Sequence, residues 1–108
     1  YRYQENKAVL RVEKGDFETG LNEFEKAIYL APFISTTYEH YLQTCLSVAD
    51  FYLMQSDKRK AIHYLEKGLR IDDIFTAFLD NSLRPVKKTT TYNEILKELK
   101  NQLQEIKE

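Results

Sequence analysis

Apolar side chains recur along this chain in steps of three and four between short polar turns, and those steps fall into a longer cycle. Gly15-Asp16-Phe17 leads to Gly20, Phe24 and Ala27; Ser56-Asp57 leads to Ala61, Leu65 and Gly68; Thr91-Tyr92 leads to Ile95 and Leu99. Gly20 to Ala61 is 41 positions and Ala61 to Ile95 is 34, and Phe24, Leu65 and Leu99 repeat both offsets, so the unit recurs in register. Steps of three and four mark an α-helix with one buried face. A cycle of this length marks stacked helical hairpins, because one hairpin cannot bury its own apolar face and must pack on a neighbour. The expected fold is all-α: about six helices in stacked antiparallel hairpins, an α-solenoid forming one domain over 1–108. Its units are expected at about 3–32, 36–72 and 74–107, with the last helix as a C-terminal cap.

Local signals set the expected boundaries. The first helix runs from about Tyr3 to Lys14 on a thin stripe of Ala8, Val9 and Val12, and stops at Gly15. Asp16 is the expected N-cap of a second helix, Phe17 to Leu30, which Pro32 ends. Thr36 and Glu39 have capping-box spacing, predicting a third helix from about Thr37 to Gln55 with Tyr38, Leu42, Cys45, Ala49 and Tyr52 on one face. Asp57 caps a fourth, Lys58 to Ile71, and Asp72-Asp73 reads as its stop. A short fifth, Ile74 to Leu83, is limited by Pro85, and Val86 to Thr90 reads as a loop. Thr91 and Glu94 form a second capping box for a sixth helix reaching about Lys107.

Composition narrows the function classes. Sixteen basic and seventeen acidic residues leave a net charge of -1, with no basic tract to grip a phosphate backbone, so direct nucleic-acid binding is not expected. Apolar runs are short, so no membrane span is expected. A chain that starts at Tyr1 rather than Met reads as a piece of a longer protein. The lone Cys45 cannot form an internal disulfide, which points to a reducing, cytoplasmic setting.

Here the residues carry a family resemblance. The stretch from Gly15 to Ile28 followed by Pro32 resembles the second helix of a tetratricopeptide repeat, and Ala49, Tyr52, Ala61 and Gly68 fall at that family's small and aromatic positions. The first helix departs from the pattern, with Gln4, Lys7 and Arg11 where the family has Trp, Leu and Tyr. The third unit departs too, with Leu83 and Gln102 at small positions and Pro85 inside its first helix. The 41-residue spacing exceeds the family's 34 by seven, about two helical turns, placed either around Phe33 to Thr37 or in a longer third helix. The resemblance implies an interaction scaffold that holds a peptide or helix of a partner protein on a concave face lined by the first helix of each hairpin. Aligning the units puts Glu5 and Val9, Leu46 and Asp50, and Asp80 and Arg84 in that groove. Only Arg84 suits a clamp for the C-terminal carboxylate of a chaperone, and the carboxylates would repel such a tail, so that use is rejected. The same three acids suggest a basic or amphipathic partner; the alternative is that they are merely solvated surface groups.

Most of the eight tyrosines and six phenylalanines are expected in the core, with Tyr41 and Phe33 the candidates for exposed aromatic contacts. Leu96, Leu103 and Ile106 would offer an apolar strip for a second copy, hence a homodimer, if the fifth helix left them uncovered. His40 and Cys45 are five apart and His63 has no ligand-type neighbour at helical spacing, so no metal, cofactor or catalytic site is expected. Cys45, on the buried stripe, should be inert. An enzyme is therefore not expected. The competing class is a ligand-sensing or oligomerisation domain of a bacterial transcriptional regulator, which a DNA-binding segment upstream would reveal.

Overall fold

The computed structural model describes residues 2–83 and 86–108, which form five helices: α1 (Arg2–Glu13), α2 (Phe17–Leu30), α3 (Ser35–Met54), α4 (Lys58–Asn81) and α5 (Thr90–Lys107). No strand occurs among the described residues. α1 packs along α2 and α3 along α4, so the chain is an all-helical repeat of two hairpins. α5 lies against both α3 and α4, and contact between the hairpins is thinner, mainly α2 on α3.

The first hairpin turns where glycine permits it. Gly15 closes α1 at φ +86, in the left-handed region. Gly20 then lets the two helices touch: a Cβ there would lie 2.6 Å from Val12 Cγ2 and 3.1 Å from the Ala8 carbonyl oxygen. The recurrent small residue in the sequence is thus a point of backbone approach. Asp16 stands at the N-cap of α2 without making the expected side-chain bond. Asp57 makes one, accepting from the Lys60 backbone N–H at 3.2 Å.

Three expectations need correcting. The fourth and fifth helices are one rod of 24 residues, so there are five helices instead of six. Asp72 does not stop α4, because its carboxylate is engaged elsewhere: Tyr92 of α5 donates its hydroxyl to Oδ1 at 2.7 Å, and Lys88 Nζ lies 3.0 Å from the same oxygen. An aspartate held this way does not compete for its own backbone, and Ile71 and Phe75 carry the apolar stripe across it. The Thr36–Glu39 capping box does not form, since α3 begins at Ser35 with Ile34 at its N-cap, and Glu39 Oε1 instead accepts from the Thr89 hydroxyl. Nor do Thr91 and Glu94 cap the last helix; Thr89 does, accepting from the Tyr92 backbone N–H at 3.0 Å.

The core is aromatic. Phe75 stacks on Tyr38 with centroids 3.9 Å apart and meets Tyr92 edge-on at 5.2 Å, tying α4 to both α3 and α5. Tyr38 donates its hydroxyl to the Pro32 carbonyl at 2.8 Å, and burial pushes the phenol up to about 12. Phe17 of α2 reaches the second hairpin, edge-on to Phe51, Tyr52 and Tyr64. Tyr41, expected on the surface, is fully buried, because Phe24 of α2 meets it edge-on at 6.4 Å where the hairpins join. Leu96 and Leu103 are likewise covered by α3 and α4.

Candidate partner-binding groove

α1 and α3, the first helices of the two hairpins, bound a hollow of about 300 Å³. Val9 and Val12 line it from α1, and His40, Gln43, Thr44 and Ser47 from α3, with Phe24 of α2 as the floor. The α3 residues stand at i, i+3, i+4 and i+7, one stripe of a helix. Gln43 and Ser47 are exposed and Val9 is 47% exposed, whereas Phe24 is buried. Thr44 turns its hydroxyl onto the His40 carbonyl at 2.7 Å. One wall is therefore apolar and the other neutral and polar. At one end His40 Nδ1 lies 3.3 Å from Glu5 Oε1, bridging α3 to α1.

The expected groove residues are only partly brought together. Glu5 and Val9 stand at the hollow. Leu46 is half-buried against the core, and Asp50 is exposed one turn on; neither lines the hollow. Their displacement, roughly a quarter-turn around α3, follows from where the extra residues lie. α1 has 12 residues and α3 has 20, so the excess is in the third helix: the offset of 41 relates α2 to α4, while α1 and α3 start 33 apart. An offset of 35, next to the family's own spacing, would have carried Glu5 and Val9 to His40 and Thr44, both of which line the hollow. Asp80 is exposed near the end of α4, the second helix of its hairpin, so it does not belong to a third first helix. Arg84 lies outside the described residues. Phe33 is 36% exposed beside Pro32, apart from the hollow, while Leu96 and Leu103 are buried and Ile106 half-buried on α5.

Between α2 and α4 the hairpins are joined by ion pairs. His63 Nε2 lies 3.0 Å from Glu18 Oε1 and Lys67 Nζ 3.4 Å from Glu18 Oε2, and Arg70 pairs with Glu25. Desolvation pushes the Glu18 carboxyl up, but the His63 hydrogen bond and the Lys67 charge outweigh it and hold the group below its ordinary 4.5. Burial pushes the Cys45 thiol well up, which disfavours the reactive thiolate. Another hollow, of about 280 Å³, lies among Ile28, Tyr29, Pro32, Tyr38, Ile74 and Phe78, with Tyr29 90% exposed. No cluster of three or more His, Cys, Asp or Glu suited to a metal ion occurs among the described residues, and no described helix is long and apolar enough to cross a membrane.

Two helical hairpins closed by a further helix define a helical-repeat protein. The family model described as "Tetratricopeptide repeat" matches residues 1–33, the span of the α1–α2 hairpin. Such repeats generally mediate protein–protein interaction, on a scaffold that is in general non-enzymatic. No curated protein and no solved structure matches the chain.

Proposed function

We propose that this chain is a protein-interaction scaffold whose α1/α3 groove holds a peptide or helix of a partner. The observation that carries the reading is the hollow itself: it lies between the first helices of the two hairpins, with an exposed valine wall facing the unhindered amide and hydroxyl of Gln43 and Ser47. The valines and Phe24 suit apolar anchor side chains, and Gln43 and Ser47 suit the backbone or polar groups beside them. No lysine or arginine lines the hollow, and the carboxylate of Glu5 stands at its end. A C-terminal carboxylate is a poor ligand for such a site, whereas an amphipathic segment with a basic residue near Glu5 complements it.

The test is selection from a displayed random-peptide library, followed by titration of the selected peptides into Val9→Glu and Ser47→Arg. Both positions are at the surface of the hollow, so helicity should be preserved. Affinity should fall by about tenfold or more, and it should fall as well when a basic residue of the peptide is neutralised. Peptides that bind both variants as tightly as the wild type would remove the groove as the site.

A further inference from the structure

Two open surfaces of this chain are apolar at their centres and opposite in charge at their edges. The hollow lined by Ile28, Tyr29, Pro32 and Phe78 runs into a neighbouring one of about 320 Å³, since Ile28, Tyr29 and Ile74 line both. Together they make one trough between α2 and α4, closed at one end by the Glu25–Arg70 pair. On α4, beside Ile74 and Phe78, the exposed residues Asp73, Ala77 and Asp80 stand at i, i+4 and i+7. The other surface is on α1. Tyr3, Lys7, Leu10 and Lys14 stand at i, i+4, i+7 and i+11, and the Lys14 backbone N–H still bonds the Leu10 carbonyl, so the stripe is continuous. Tyr3 and Leu10 lie across the helix from buried Ala8 and are 67% and 55% exposed.

The charges on both surfaces are available. Lys14, Asp73 and Asp80 make no ion pair with any described residue. Lys7 lies over the Tyr3 ring and 4.0 Å from Glu23, a carboxylate that Lys26 holds more closely at 3.3 Å. We propose that the α2/α4 trough is a docking site for α1 of a second copy of this chain, seated antiparallel to α4 with Lys7 against Asp80 and Lys14 against Asp73.

Charge complementarity and register select this occupant. Lys7 and Lys14 are seven positions apart and so are Asp73 and Asp80, two helical turns or about 10 Å along each axis. In the antiparallel order the same register sets Leu10 opposite Ala77, whose small side chain leaves room for it beside Ile74 and Phe78. In the parallel order Leu10 would meet Thr76, whose hydroxyl already accepts from Lys88. Apolar contact of Leu10 and Tyr3 with the trough supplies the attraction, while exposed ion pairs add little free energy and mainly fix orientation. Val9 and Val12 line the α1/α3 groove from another face of α1, so docking leaves that groove open and does not rest on the proposed function. The two surfaces are different patches, so the contact is heterologous: each docked pair keeps one free α1 and one free trough, and copies add head to tail. One helix in one trough is a small interface, so the dissociation constant should be on the order of 100 µM.

Sedimentation velocity from about 10 µM to about 1 mM tests this, with circular dichroism to check that each variant keeps its helices. The wild-type mass should climb with concentration past that of a dimer. Leu10→Glu and Ile74→Glu, both at exposed positions, should each stay monomeric, yet their mixture should form dimers and nothing larger, because one supplies the intact trough and the other the intact α1. Lys7→Glu/Lys14→Glu and Asp73→Lys/Asp80→Lys should each weaken association about tenfold, and the chain carrying all four changes should regain it. A wild type that stays monomeric throughout overturns the docking of copies and leaves the trough to another partner. So does growth that stops at a dimer, which marks a self-complementary patch, or a mixture that stays monomeric. A fourfold variant as weak as either double overturns the register.

Discussion

Two buried tyrosines show how much depends on what a hydroxyl finds. Tyr92 donates to Asp72 at 2.7 Å, and burial together with that aspartate pushes its phenol well up. The Tyr41 hydroxyl is buried with no hydrogen bond of ordinary geometry, although the Arg70 guanidinium stands near enough to offset part of the burial that pushes its phenol up. Removing the first leaves a buried carboxylate short of a donor; removing the second leaves Arg70 its pairing with Glu25. Tyr92→Phe should therefore cost about 1–3 kcal/mol in urea denaturation, and Tyr41→Phe less than about 1 kcal/mol. Equal losses would mean that the Asp72 contact adds nothing beyond ring packing. At this scale the spacing of aromatic residues identified the core, but it could not say that Tyr41 meets Phe24 across a joint. That contact joins residues on α2 and α3 and has no local signal.

Among the elements, the second helix was legible nearly to the residue because its cues are local: a turn glycine, an apolar stripe and a proline beyond its end. The fusion at Asp72 was not, since an Asp-Asp pair is a stop only while its carboxylates are free to bond their own backbone. Here the partners are Tyr92 and Lys88, distant in sequence. Capping was misplaced for a related reason. Thr91 has a glutamate at the right spacing, yet Thr89 both accepts from the Tyr92 backbone and donates to Glu39 of α3, a bond across helices that no capping box supplies. Thr89→Ala should accordingly cost about 1 kcal/mol, and Thr91→Ala, at an exposed position, a few tenths at most. Reversal of that order in thermal or urea unfolding would restore the capping box.

For the molecule as a whole, the period announced stacked hairpins, and the seven-residue excess was legible as an amount without being legible as a place. Its location at the end of α3 decides which residues face α1, which is why Gln43, Thr44 and Ser47 occupy the wall expected of Leu46 and Asp50. The self-association strip also changes meaning. Leu103 is buried beneath α3 and α4, so Leu103→Glu places a charge in the core and does not simply trim an exposed face. It should cost about 3 kcal/mol or more, seen as a lowered melting temperature and weakened docking of α5. Full stability with a changed mass in light scattering would instead mark that strip as an interface.

The long α4 rod has a last consequence. In an array of strictly separate repeats each unit can fray by itself, and stability is close to a sum over neighbours. Here one continuous helix serves two layers along its whole length: Gly68 and Glu66 of its first half meet Leu99 and Lys107 of α5, while Phe75 of its second half stacks on Tyr38 of α3 and meets Tyr92 of α5. Neither half can melt without exposing the other's contacts. The second hairpin and the cap therefore form a single cooperative unit of three helices, and the thinner contact between α2 and α3 is where the array divides.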